Sequence, residues 1–186
     1  YNNIKILGLE NLNEIKKNNK QAIFISGHFA NFELMAMRLQ DEGIKLAAIY
    51  RPLNNIFLNP FMEYLRKKYI CTNQIKKGRA GIKDLLNKFN NNYSVALMTD
   101  QRVSEGIKVD LFNREAFTTT IPAQLALRFN CDIIPVYIER LDGPNFKITI
   151  SSPLNFSDLE NNKKNIKLIT KKLNKILEKM IKNKPS

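Results

Sequence analysis

Short apolar runs alternate with amphipathic segments along the chain. "AIFIS" (22–26), "KLAAIY" (45–50) and "YSVALM" (93–98) have the length and the β-branched or aliphatic content of strands buried on both faces. "CDIIPVYIER" and "FKITISS" read as two more strands, joined by the turn "LDGPN". Between the runs the period changes to that of a helix. "FELMAMRLQDEG" has Leu34, Met37 and Leu39 at helical spacing, with Gly43 as its stop. "IFLNPFMEYLRKKY" is helical with Pro60 near its first turn, and "RAGIKDLLNKF" is a second amphipathic helix. "TTIPAQLALRFN" places threonine at the cap and Pro122 in the first turn. From Asn162 onward, Ile166, Ile169, Leu173, Ile176, Leu177 and Met180 form one helical stripe, with lysines over the remainder. Residues 99–118 lack a clean period and read as one long loop.

Strand–helix alternation predicts an α/β class: a layered α/β/α fold with a mostly parallel, mixed central sheet. The two strands joined by "LDGPN" should pair antiparallel. There is no internal repeat and no linker, so one domain over residues 1–186 is expected.

Composition adds a strong positive charge: 30 Lys+Arg against 17 Asp+Glu, or +13. That excess favours anionic partners, although a Lys/Asn/Ile-rich coding bias produces the same surplus. Cys71 and Cys131 are sixty residues apart without a CxxC, and His28 is the only histidine. The common zinc frameworks are excluded, no metal is expected, and two free thiols are the simplest reading. No apolar run approaches the roughly 18 residues of a membrane span, and no signal peptide is visible. A serine hydrolase lacks its G-x-S-x-G, and neither a dinucleotide fingerprint nor a P-loop is present. A basic nucleic-acid module would need clustered Arg/Lys with exposed stacking aromatics. Here the lysines are spread and tryptophan is absent, so no nucleic acid is expected.

The chemistry concentrates in "SGHFANFE". In open α/β sheets functional groups gather beyond the carboxyl ends of strands, and this stretch follows the first buried run. Gly27 permits a sharp turn, His28 projects at the sheet edge, and Glu33 lies in the first turns of the next helix. A carboxylate on one imidazole nitrogen would fix the tautomer and leave the other nitrogen to take a proton from an alcohol. The plain alternative is a satisfied structural histidine beside a helix start.

The pattern H-x-x-x-x-E after a buried strand resembles the first block of the glycerolipid-type acyltransferases. This stretch and three others resemble one branch, the lauroyl/myristoyl acyltransferases of lipid A biosynthesis. "GHFANFE" is similar to that branch's first block, and "AIYRPLNN" to its Y-R-P block. "GRAGIKDLLNKFNNNYSVALMTDQ" resembles its Arg-containing helix and the strand ending in Asp-Gln. "VDLFNREAFTTTIPAQLALRFNCDIIPVY" resembles its F-F-G-x-x-A-x-T-T block. The likeness covers roughly residues 20–183. Asn113 stands where the family often has glycine. The family's N-terminal membrane helix and its Trp/His/Arg-containing tail are not in these residues, so a chain trimmed of its anchor is expected.

The resemblance implies a reaction and a cast. A hydroxyl of a lipid A precursor attacks a fatty acyl thioester borne by acyl carrier protein or coenzyme A, with no other cofactor. His28 would be the general base and Glu33 its holder, with no acyl-enzyme. Arg51 and backbone N–H groups near Gly27 and His28 would stabilise the oxyanion. Arg79 would hold phosphate or phosphopantetheine, or be merely a solvated charge. Asp100 and Gln101 would position substrate or base, Asp100 being also a common turn residue. Phe29, Phe32, Phe112 and Phe117 belong to the core or line an acyl groove. Implied partners are acyl carrier protein, the anionic lipid A precursor and the cytoplasmic face of the bacterial inner membrane. A related acyltransferase acting on a glycerophospholipid or another membrane alcohol is the alternative.

Overall fold

The computed structural model describes residues 3–183, apart from the side chains of Arg79 and Ala80. The apolar runs form the strands expected of them: β2 (Ala22–Ser26), β3 (Leu46–Tyr50) and β5 (Ser94–Met98). With β1 (Ile4–Leu7), β4 (Asn73–Lys76), β8 (Asp132–Arg140) and β9 (Phe146–Ile150) they build one seven-stranded sheet. Its order is β1-β9-β8-β2-β5-β3-β4. Strands β8, β2, β5, β3 and β4 run parallel, β9 returns antiparallel to β8, and β1 runs parallel to β9. The sheet is therefore mostly parallel and mixed, as the strand–helix alternation implies. The turn to β9 passes through Gly143 at φ 59°, a backbone conformation that glycine adopts without steric penalty.

The helices are α1 (Asn13–Asn18), α2 (Glu33–Asp41), α3 (Leu58–Tyr69), α4 (Arg79–Asn90), α5 (Ile121–Phe129) and α6 (Lys163–Asn183). Side chains of β2 divide between two cores, because successive residues of a strand face opposite sides. Ala22 and Phe24 pack with Ile15 of α1 and Met35 and Leu39 of α2. Ile23 and Ile25 pack with Leu85 and Phe89 of α4, Leu125 of α5, and Ile169 and Leu173 of α6. Each of the larger side chains, Phe24, Ile23 and Ile25 among them, contributes roughly 1.5–3 kcal/mol on leaving water, which is why β2 is the buried spine of the layers. Cys71 and Cys131 are buried free thiols, and burial pushes Cys131 up to about 12. No described helix is long and apolar enough to cross a membrane.

Residues 99–118 depart from the expected loop. They contain an antiparallel hairpin, β6 (Ile107–Leu111) and β7 (Arg114–Thr118). Its turn is Phe112–Asn113, both at positive φ (51° and 59°), without the Asn-Gly or Asp-Gly that usually announces such a turn. Two polar residues inside the apolar stripe of α6 hold the hairpin. Asn174 Nδ2 donates to the Asp110 carbonyl at 2.9 Å and to Thr118 Oγ1 at 3.1 Å. Glu178 Oε1 accepts the Phe112 N–H at 2.7 Å, and the Lys175 ammonium first, then this bond, hold the carboxyl below its usual range.

Candidate active site

Strand order makes the site. Neighbours β2, β5, β3 and β4 are parallel, so their carboxyl ends open on one edge of the sheet. Ser26 is in register with Met98, and the pairing continues through the Thr99 N–H to the Ser26 carbonyl at 2.9 Å. Two residues beyond each strand stand His28 and Asp100. The same edge carries Tyr50, the last residue of β3, Arg51 just after it, and Lys77 after β4.

Asp100 grips His28 twice. Its Oδ1 lies 2.7 Å from imidazole Nδ1, and its Oδ2 accepts the His28 backbone N–H at 2.8 Å. A carboxylate only accepts, so Nδ1 carries the hydrogen and Nε2 of the neutral ring keeps its lone pair. Gln101 Nε2 sits 3.3 Å from His28 Nε2, while Lys77 Nζ donates to Gln101 Oε1 at 3.2 Å. The lysine thus turns the amide so that its NH₂ faces the imidazole. A continuous row Lys77–Gln101–His28–Asp100 sets both tautomer and direction. Phe32 meets the imidazole edge-on at a centroid distance of 4.6 Å. Gly27 is required by space, since a Cβ there would lie 2.8 Å from the Phe29 ring and 3.3 Å from Asp100 Oδ2. Ala30, three residues on, holds a left-handed φ of 45°, which local structure imposes against the preference of an L-residue.

The expected His28–Glu33 hydrogen bond is replaced by this arrangement. Glu33 Oε1 accepts Arg66 Nε at 2.8 Å, and Arg66 lies over the Tyr50 ring at 5.6 Å. Arg66 on α3 was invisible as a site residue, because it stands in an ordinary basic helix end, "LRKKY". Its Nη1 is buried with no hydrogen-bond partner among the described residues. Beyond it, Glu63 gathers the Tyr50 hydroxyl, Asn59 Nδ2 at 2.7 Å and Lys76 Nζ at 3.2 Å. The Tyr50 bond leads in lowering Glu63 to about 2, while burial and that carboxylate push the tyrosine hydroxyl well above its usual range.

His28, Glu33, Arg51, Arg66, Lys77 and Gln101 border one cavity of about 240 Å³. Its deeper wall is apolar, with Phe32, Met35, Ala36, Ala48, Ala96 and Met98. Of the four phenylalanines considered for an acyl groove, Phe32 alone lines this cavity. Phe29 is buried edge-on against Tyr137 at 5.2 Å, Phe112 is at the hairpin tip, and Phe117 packs below Arg102 and Lys108. Arg51 is exposed at the rim. Arg79 opens α4 as expected, and its side chain lies outside the described residues. Thr119 Oγ1 accepts the Ile121 N–H at 3.3 Å at the start of α5 while the residue also borders the cavity, and Thr118 is bonded to Asn174.

A histidine whose Nδ1 faces a carboxylate thus opens, at the carboxyl edge of an α/β sheet, on an apolar cavity bordered by Arg51, Arg66 and Lys77. The family model for bacterial lipid A biosynthesis acyltransferase matches residues 2–186, and the chain belongs to that family. It is an acyltransferase of lipid A biosynthesis. A comparison with curated proteins returned no match.

Proposed function

We propose that the chain moves a fatty acyl group from an acyl carrier protein thioester to a hydroxyl of the lipid A precursor, with His28 as general base. The row Lys77–Gln101–His28–Asp100 carries this reading, because it presents an unprotonated Nε2 at the mouth of an apolar pocket. The acceptor hydroxyl displaces the Gln101 amide from Nε2 and gives up its proton there as its oxygen bonds to the thioester carbon. The tetrahedral oxyanion collapses, the carbon–sulfur bond breaks, and the imidazolium returns the proton to the departing thiolate. Asp100 stabilises the imidazolium in between.

The His28 N–H is already taken by Asp100, so it is withdrawn from the oxyanion donors. Arg51 and the displaced Gln101 amide fill that role. The acyl chain lies along Phe32, Ala36, Ala48 and Met98. Glu33 acts through Arg66, aiming its free Nη1 at a phosphate of the acceptor. Arg79 and Lys77 add to the attraction for acyl carrier protein and the anionic precursor at the inner membrane.

The test is transfer from lauroyl- and myristoyl-acyl carrier protein to a tetra-acylated lipid A precursor, with His28→Ala alongside. A folded variant losing roughly 10²- to 10⁴-fold in turnover supports the base. Equal activity of the two proteins would sink it. Transfer to lysophospholipid but not to the precursor would move the acceptor to a glycerophospholipid.

A further inference from the structure

Thirteen large apolar or aromatic side chains are exposed among the described residues, and seven of them fall between positions 53 and 69. The other six are scattered, as on any soluble surface. Ile56 is 75% exposed and Phe57 85%, in the turn that leads from Arg51 into α3. Leu58, Phe61 and Tyr64 continue the patch at i, i+3 and i+6 along the helix. Helix α3 buries none of its residues, so this face has no partner within the chain.

We infer that the segment Leu53–Tyr64 is the surface by which the enzyme docks on an anionic bilayer. The inference rests on the reading above, in which the acceptor is a lipid. Residues 51–77 carry six cations, Arg51, Arg66, Lys67, Lys68, Lys76 and Lys77, against the single carboxylate Glu63. Apolar side chains protruding beside cations and tyrosines match the acyl–headgroup boundary, where aromatic rings enter and cations meet phosphate. The turn is also prepared for a dry environment. Asn55 Oδ1 accepts the N–H groups of Phe57 and Leu58 at 3.0 and 3.2 Å, and Asn59 Oδ1 accepts that of Leu53 at 2.8 Å. These donors need no water when the side chains insert. The patch is flanked by residues of the cavity border: Arg51 stands just before it in the chain and Arg66 just after it on α3.

The chain has no tryptophan, so Phe57→Trp supplies a unique reporter, with Leu168→Trp on the exposed face of α6 as control. Mixed vesicles of phosphatidylcholine and phosphatidylglycerol should shift Phe57→Trp emission to the blue and shield it from iodide, leaving Leu168→Trp unchanged. Adding Ile56→Ser and Phe61→Ser should weaken vesicle binding at least about tenfold, from the apolar area withdrawn. The triple variant Ile56→Ser/Phe57→Ser/Phe61→Ser should acylate detergent-dispersed acceptor normally and vesicle-embedded acceptor poorly. An unchanged Phe57→Trp signal, or a shift at Leu168→Trp instead, would overturn the surface. So would a blue shift without lipid that follows protein concentration, because the occupant would then be a second copy. Vesicle binding at this patch without acyl transfer would count against the reaction and leave the surface standing.

Discussion

Asp100 binds His28 through both of its oxygens, one to the ring Nδ1–H at 2.7 Å and one to the backbone N–H at 2.8 Å. The main-chain donor cannot turn round, which makes the pair sensitive to the loss of one acceptor. In Asp100→Asn the amide oxygen must face the backbone N–H, so the NH₂ group faces Nδ1. The ring then takes the tautomer with hydrogen on Nε2, which cannot accept a proton. Turnover should fall roughly 10²- to 10⁴-fold with little change in KM. Glu33→Gln should instead raise KM for the phosphorylated acceptor, because it loosens Arg66 and leaves the base intact. Steady-state kinetics on both variants separate the roles; the reverse pattern would return the holder's part to Glu33.

Ala48 on β3 and Ala36 on α2 keep the deeper cavity open with minimal side chains. Ala48→Leu fills part of that space and should shift preference toward shorter acyl donors. Each methylene denied burial forfeits about 0.8 kcal/mol, or roughly fourfold in kcat/KM. A series of acyl thioesters of increasing length reads the shift. An unchanged profile from a folded variant would show that the chain lies elsewhere.

Glu63 is lowered to about 2 by the Tyr50 hydroxyl, Asn59 and Lys76. Its folded value lies below that of an unfolded glutamate, so the unfolded chain binds the proton more readily. The stabilisation is complete above about pH 5 and is lost as pH falls toward 2. Urea midpoints of wild type and Glu63→Gln should therefore converge over that interval. A difference that stays constant with pH would mean that the charge of Glu63 is not what ties Tyr50 to α3.

Asn174 is 2% exposed and satisfies the Asp110 carbonyl and the Thr118 hydroxyl from inside the stripe of α6. Asn174→Leu leaves these groups unpaired and should destabilise by about 1–3 kcal/mol. The β6–β7 amides should lose hydrogen-exchange protection before the central sheet does. Uniform loss across the sheet would instead make the hairpin part of the main cooperative unit.

The buried runs at 22–26, 46–50 and 94–98 marked their own strands, and helical spacing marked α2, α4 and α6, because burial pattern is a local property of the chain. The same patterning determined the layered α/β class and put His28 at a strand end. The elements it left unread were the short β1, α1 and β4, and the β6–β7 hairpin, whose Ile107, Val109 and Leu111 alternate correctly but whose turn lacks glycine. Tertiary structure alone decided the partner of the imidazole. Local spacing points to Glu33, five residues away, whereas the order β2-β5 brings Asp100 from 72 residues along the chain. Parallel strands that touch need not be consecutive, so their order depends on how helices cover both faces of the sheet. Arg66 joins Glu33 for the same reason, since the packing of α3 beside β3 and β4 is a property of the folded sheet and not of any motif.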